Sequence, residues 1–294
     1  MQFRRTVLFA ASVVIVLLAT TTIASAGSYS AVVAYGDSLS DNGNLFSLIG
    51  YPPAPYYNGR FSNGPVAVEQ LATLLGAPLH DFAYGGATSG SANYIGAMFG
   101  VPGLPGMQQE LAMTAGIVPV LAPGSLFVVW GGANDFLLSG SPISAAANID
   151  GIVASLKADG VKHIVVPGMP DLGLTPDFFG DPVATAYAQA FNAAMQAGLP
   201  MGAKYVDTFN LMHEIFANPA SFGLTDVTDP CFNGSSVCSD PNDHLFWDGF
   251  HPTTAADAIL AEQFATAATP EPSAILLMGT GILGLLLLVR RARA

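Results

Sequence analysis

The sequence predicts a three-layer α/β/α fold built on a mostly parallel sheet, and three observations predict it. Short segments rich in β-branched and aromatic residues alternate with longer windows of helical composition between residues 31 and 267. That alternation marks parallel strands whose connecting helices cover both faces of the sheet. A polar, glycine-rich run follows each of the first four strand segments. With 294 residues, 51% of them apolar, the chain also has ample material for a buried core.

The strand segments are 31–35, 78–83, 126–130, 163–166 and 205–208, and the helical windows are 65–75, 106–117, 144–158, 182–197 and 253–267. No internal repeat interrupts them. Strand one runs into GDSLSDNGN (36–44), strand two into YGGATSG (84–90), strand three into WGGANDF (130–136) and strand four into PGMPDLG (167–173). In an open α/β sheet, ligands bind outside the carboxyl ends of the strands, where loops converge and helix N-termini point their amides. The four runs therefore place polar groups on one rim. The course of the loop 45–63 follows from no pattern in its residues.

The two ends read differently from the middle. Residues 1–26 carry Arg4 and Arg5, then an apolar run, then the small residues Ala24-Ser25-Ala26, the three parts of a secretory signal peptide. An uncleaved anchor is the alternative reading. Residues 273–289 are 17 uncharged residues followed by Arg290, Arg291 and Arg293. As a helix they would be roughly 26 Å long, enough for a transmembrane span with the arginines on the cytoplasmic side. Pro270 and Pro272 flank Glu271 and separate this segment from the domain 27–269.

Setting the ends aside leaves Arg60, Lys157, Lys162 and Lys204 as the only cations of the exported part, against every acidic residue but Glu271, a net charge near −16. Such a surface cannot neutralise phosphates, which makes nucleic acid and anionic membrane surfaces poor partners. The two cysteines, Cys231 and Cys238, flank an Asn233-Gly234 turn. In an oxidising compartment they can close a small disulfide loop, whereas a zinc reading lacks a second pair of thiols at ordered spacing.

Serine is a poor nucleophile until a histidine takes its proton, and the histidine needs a carboxylate to hold its tautomer. Ser38 stands at the end of the first strand. Near the end of the chain, LFWDGFHPTTAA (245–256) puts Asp248 three residues before His251 on a turn containing Gly249. The bland readings are that Ser38 caps a turn and that Asn134 is an ordinary turn asparagine. His244, with Asp240 and Asp243 near it, is a weaker rival to His251 because no glycine turn flanks it. Asp37 and Asp135 read as structural acceptors for loop amides. His80, His163 and His213, with no carboxylate at useful spacing, read as structural. Trp247 and Phe250 read as packing beneath the catalytic loop.

GDSLSDNGN, DFAYGGAT, WGGAND and FWDGFHPT, in that order, resemble the four signature blocks of the SGNH/GDSL hydrolase family, in particular its lipase-like branch. The resemblance spans the exported domain and implies the SGNH hydrolase fold with its flavodoxin-like sheet. It implies Ser38 as nucleophile, His251 as general base and acid, and Asp248 as the orienting carboxylate. It further implies an oxyanion hole formed by the amides of Ser38 and Gly86 and the side-chain amide of Asn134, with Gly85 the other candidate at the glycine pair. The residue types suit those roles, since glycine admits close backbone approach and asparagine donates without adding charge. One departure stands out: the second block opens with Asp81 where the family commonly has asparagine, so a hydrogen bond donated by an amide has to be rearranged there.

Residues 270–294, with Pro270-Glu271-Pro272, an apolar span and an arginine cluster, resemble the PEP-CTERM sorting signal of Gram-negative envelope proteins. That resemblance implies an exosortase-type processing enzyme and Sec-type export machinery as partners, and transient anchoring in the inner membrane; a plain membrane tether is the alternative. No nucleotide, metal or flavin motif is present, so no cofactor is expected. The expected activity is hydrolysis of carboxylic acyl esters of lipid or lipid-like alcohols through an acyl-enzyme. A carbohydrate esterase deacetylating extracellular polysaccharide and a non-catalytic envelope or matrix binding protein are the alternatives.

Overall fold

The computed structural model describes residues 29–269. The expected signal segment 1–26 and the expected span 273–289 lie outside the described residues. Among the described residues no helix is long and apolar enough to cross a membrane.

In chain order the strands are β1 (Val32–Gly36), β2 (Leu79–Asp81), β3 (Leu126–Trp130), β4 (His163–Pro167), β5 (Lys204–Val206), β6 (Asp226–Pro230) and β7 (His244–Phe246). The helices are α1 (Asn44–Ile49), α2 (Ala67–Leu75), α3 (Tyr94–Phe99), α4 (Met107–Thr114) and α5 (Val118–Leu121). They continue with α6 (Ala133–Leu137), α7 (Pro142–Ala158), α8 (Pro182–Gly198), α9 (Thr208–Ala217) and α10 (Thr254–Ala268).

The first five strands form one parallel sheet in the order β2-β1-β3-β4-β5. This is the flavodoxin-like order, whose crevice opens beyond the β1 and β3 ends, where the direction of winding reverses. Because side chains alternate along a strand, each strand feeds two cores. Val33 and Tyr35 of β1 and Phe127 and Val129 of β3 pack with Ile149 and Val153 of α7 and Phe191 of α8. Val32, Ala34, Leu126, Val128 and Trp130 point the other way, onto Val68 and Leu71 of α2 and Ala261 and Phe264 of α10. Strands buried on both faces read as near-continuous apolar runs, which is why AVVAY and LFVVW are legible in the sequence. Truncating a ring as enclosed as Phe127 or Phe191 would cost about 3–5 kcal/mol of stability.

The ends of the elements follow local chemistry. The helix expected over 144–158 starts earlier, at Pro142, because Ser141 caps it by accepting from the Ser144 amide and proline suits the first helical position. The fifth strand stops at Val206 rather than 208, because Asp207 accepts from the Asn210 amide and opens α9, a helix absent from the expected set. Beyond α9, β6 and β7 pair in parallel as a separate two-stranded sheet. Between them Cys231 is bonded to Cys238. Neither thiol is therefore left for zinc.

Candidate active site

The β1 end turns sharply at Gly36-Asp37-Ser38. The Asp37 carbonyl accepts from the Ser40 and Asp41 amides at 3.0 and 2.9 Å, and its carboxylate accepts from the Leu39 amide at 3.1 Å. The turn leaves Ser38 at the rim of a cleft of about 540 Å³. Asp41 then ties this loop to the one after β2, since its carboxylate accepts from the amides of Gly43, Asn44, Leu45 and Gly85. Glu110 of α4, fully buried, works the same way from below, accepting from the Gly36 amide at 3.1 Å and the Tyr84 amide at 3.2 Å.

Asp248 folds its own turn. One carboxylate oxygen accepts from the Phe250 amide at 2.8 Å and the His251 amide at 2.7 Å, and the carboxylate meets His251 Nδ1 at 2.8 and 3.0 Å. The other ring nitrogen, His251 Nε2, lies 2.9 Å from Ser38 Oγ across 213 residues of chain. Burial disfavours the imidazolium, but the Asp248 charge and hydrogen bond outweigh it and the His251 pKa moves up. Burial pushes Asp248 up as well, yet His251 and the hydrogen bonds leave its pKa below the ordinary value. The two shifts agree in sign: the pair favours a carboxylate beside an imidazolium.

Asn134 enters as the second residue of α6 and lines the same cleft. Its Nδ2 donates to the Ala87 carbonyl at 3.0 Å and, at a long 3.3 Å, to Asp37 Oδ2. Asp37 is pushed up to about 7 by burial, with the Leu39 amide opposing. Of the two glycines, Gly85 has its amide committed to Asp41, while Gly86 lines the cleft. Gly86 has φ +80, and a side chain there would collide with Ile95 and Asn93, so both conformation and space require glycine. Within the described residues, neither the Gly86 nor the Ser38 amide donates a hydrogen bond. Ser38, Gly86, Asn134 and the Asp248–His251 pair are thus brought to one cleft from the segments that follow β1, β2, β3 and β7.

Several participants escaped the sequence reading. Tyr56, from the loop 45–63, donates to Asp248 Oδ2 at 2.6 Å. Asp177 lies against the Asp248–His251 turn: its amide donates to the Gly249 carbonyl at 2.8 Å, and a side chain at Gly249 would run into its carboxylate. Burial raises the Asp177 pKa, and the Asp248 charge adds to the shift. Phe232, Asn233 and Gly234 bring the disulfide loop to the rim. Seven aromatic residues, Tyr51, Tyr56, Phe61 and Phe178 among them, share the cleft walls with polar groups, and no lysine or arginine lines the cleft. A loop rich in tyrosine, phenylalanine and proline was visible at 51–61, but its partner 192 residues away was not.

Other expectations are corrected. His213 does have a carboxylate, Asp171 at 2.9 Å from 42 positions away, while His80 and His163 are exposed. His244 contacts Asp226 and the Asp229 carbonyl, not Asp240 or Asp243, and does not line the cleft. Trp247 is buried beneath the loop and stacks on Phe232, but Phe250 faces the cleft. At Asp81 the rearrangement is specific. Its carboxylate accepts from the Asn42 and Ala83 amides, and Asn44 supplies the donor, bonding the carbonyls of Asp81 and Ala83. Burial, then the nearby Asp41, pushes Asp81 well above the usual carboxylate range.

A doubly wound parallel sheet carrying a serine, a histidine and a carboxylate at its switch point defines a serine hydrolase of carboxylic esters. The sequence signature described as GDSL-like Lipase/Acylhydrolase matches residues 32–264, and the chain belongs to that family. A second signature, the PEP-CTERM protein-sorting motif, matches residues 268–292 and marks the chain for export to the cell envelope. Among relatives, the phosphatidylcholine-sterol acyltransferase of Aeromonas hydrophila is 29% identical over 81% of this chain and 90% of its own length. The thermolabile hemolysin of Vibrio parahaemolyticus is 31% identical over 79% of this chain and 62% of its own. The esterase EstA of Pseudomonas aeruginosa is 32% identical over 48% of this chain and 26% of its own.

Proposed function

We propose that the chain is an exported esterase that cleaves acyl esters of lipid or lipid-like alcohols through an acyl-enzyme on Ser38. One observation carries the reading: Ser38 Oγ lies 2.9 Å from a histidine nitrogen whose partner nitrogen is held by a carboxylate. As Ser38 Oγ adds to the ester carbonyl, its proton passes to His251 Nε2, and Asp248 stabilises the imidazolium. The carbonyl oxygen becomes an oxyanion facing the amides of Ser38 and Gly86 and the Asn134 side chain, which gives up its long contact to Asp37. Collapse breaks the bond to the alcohol oxygen, which takes the proton from His251 and leaves. Water then adds to the acyl carbon while His251 accepts its proton, and return of that proton to Ser38 Oγ releases the carboxylic acid.

The apolar side chains of Phe61, Ile95, Met98 and Leu137 in the cleft wall suit an apolar acyl group, and the relative named for phosphatidylcholine supports the same direction. We read 1–26 as a signal for Sec-type export, 27–269 as the hydrolase domain and 270–294 as the sorting segment. Its span 273–289 would hold the chain in the inner membrane until an exosortase-type enzyme processes it. The Cys231–Cys238 bond suits the oxidising compartment this route ends in. The test is covalent: a fluorophosphonate probe should label Ser38, and Ser38→Ala should lose both label and turnover while staying folded. Labelling that persists on another serine would overturn the assignment.

A further inference from the structure

A second cavity, of about 70 Å³, adjoins the cleft at Phe250. The loops that carry the site groups turn their next residues into it. Leu39 follows Ser38, Ala133 precedes Asn134 and Pro252 follows His251, and all three line the cavity. Phe250 lines both spaces and divides them. Its ring is wedged edge-on between Phe178, at 6.1 Å between centroids, and His251, at 5.7 Å.

The far wall is aliphatic, with Leu211 and Ile215 of α9 facing Leu260 of α10. The polar side chains that reach the cavity are already committed. Trp130 Nε1 and Thr208 Oγ1 both donate to the Gly168 carbonyl, at 3.0 and 2.6 Å, and Thr175 Oγ1 donates to the Leu172 carbonyl at 2.6 Å. A water placed there would lack the two to four polar partners that hold buried water. Dry apolar cavities take apolar guests: one of about 150 Å³ binds benzene. Roughly half that volume admits a chain of a few carbons.

We propose that this cavity is the seat for the distal carbons of the substrate's acyl chain, with Phe250 as the partition that limits their entry. The proposal rests on the reading of Ser38 as nucleophile. The assignment to the acyl side follows from the order of the reaction. The alcohol must leave and water must enter, which the open cleft allows, whereas the acyl group stays bonded to Ser38 Oγ through both steps. A dry, apolar space lined by the chain neighbours of Ser38, Asn134 and His251 therefore suits the group that stays. With the Phe250 ring in its observed position, short acyl groups end against it, and longer ones lose contact with apolar surface.

The test is the ratio of kcat/KM for an octanoyl ester to that for an acetyl ester of the same phenol, measured on the full chain. Each methylene buried is worth about fourfold in affinity, so opening the partition should raise the ratio about tenfold or more in Phe250→Ala, and less in Phe250→Leu. Adding Ala256→Val, which narrows the cavity from α10, should bring the raised ratio back down. A ratio that stays within about twofold of the parent in both Phe250 variants, with both still titrated at Ser38 by fluorophosphonate, would overturn the acyl seat and leave the nucleophile standing. Should Phe250→Ala fail to fold, Phe250→Leu and the single Ala256→Val change decide between the same two results. Failure of the probe to label Ser38 in the parent protein would instead remove the reading on which the seat depends.

Discussion

Asp248 and Asp257 lie nine residues apart, one in the turn that carries His251 and the other in the first turns of α10, and both side chains are largely or fully withdrawn from water. Their environments diverge. Asp248 accepts from two amides, a tyrosine hydroxyl and an imidazole, and its pKa falls below the ordinary value. Neither carboxylate oxygen of Asp257 has a hydrogen-bond partner; Ser62 and the Ala67 amide face it outside bonding geometry, and burial drives its pKa well up. Burial pushes both groups in the same direction, so the difference lies in the partners. Donors and a cation converge on Asp248 and not on Asp257, and that sets the direction of each shift.

The sharpest way to break the comparison is to neutralise the ionised member. Asp248→Asn should keep the turn but remove the charge that holds the imidazolium, and kcat should fall by about 10⁴-fold in ester turnover per folded molecule. A loss of tenfold or less would mean that the Asp248 charge is dispensable. Neutralising the other member should do the opposite. Asp257→Asn should raise stability at neutral and alkaline pH by about 1–3 kcal/mol, because it removes a carboxylate whose ionised form is unsatisfied in the fold.

The sign can be followed with pH. The folded-state pKa of Asp257 is raised above its unfolded value, so its contribution is fully present below the unfolded pKa, near 3.8, and is lost as pH rises toward the folded value. Thermal melting from pH 4 to pH 9 should show the parent protein weakening as pH rises and Asp257→Asn weakening less. Glu110 and Asp81, raised in the same direction, keep the remaining slope. A parallel pair of curves would show that Asp257 is already solvated or paired in solution.

A smaller effect isolates one donor at Asp248. Tyr56→Phe keeps the rings that pack on Phe61 and Trp247 but removes the 2.6 Å hydrogen bond. Turnover should drop about fivefold, the equivalent of a hydrogen bond worth about 1 kcal/mol. An unchanged kcat with altered KM would move Tyr56 from positioning Asp248 to contacting substrate. The mildest signature is the acid limb of kcat/KM. His251 must be neutral to accept the Ser38 proton, and its raised pKa places that limb above the ordinary histidine value of 6.5. A limb below 6.5 would show that desolvation outweighs Asp248 in the free enzyme.

The extent to which this protein was legible in its sequence follows the range over which each interaction acts. β1 and β3 could be read because strands buried on both faces must be apolar throughout, and the Asp248-Gly249-Phe250-His251 turn because a carboxylate three residues before a histidine closes on it locally. The rim position of Ser38, Gly86 and Asn134 followed from where polar loops must lie on a parallel sheet. Helix α9 was missed and the start of α7 was placed two residues late, because side-chain caps, not periodicity, set those starts. What only the tertiary structure decided are the meetings across long stretches of chain. Tyr56 reaches Asp248, Glu110 reaches the Gly36 amide, Asp171 reaches His213, and Phe250 stands between two cavities. No spacing encodes such meetings, because they depend on how the assembled sheet orients its loops and on which side chains are then left in reach.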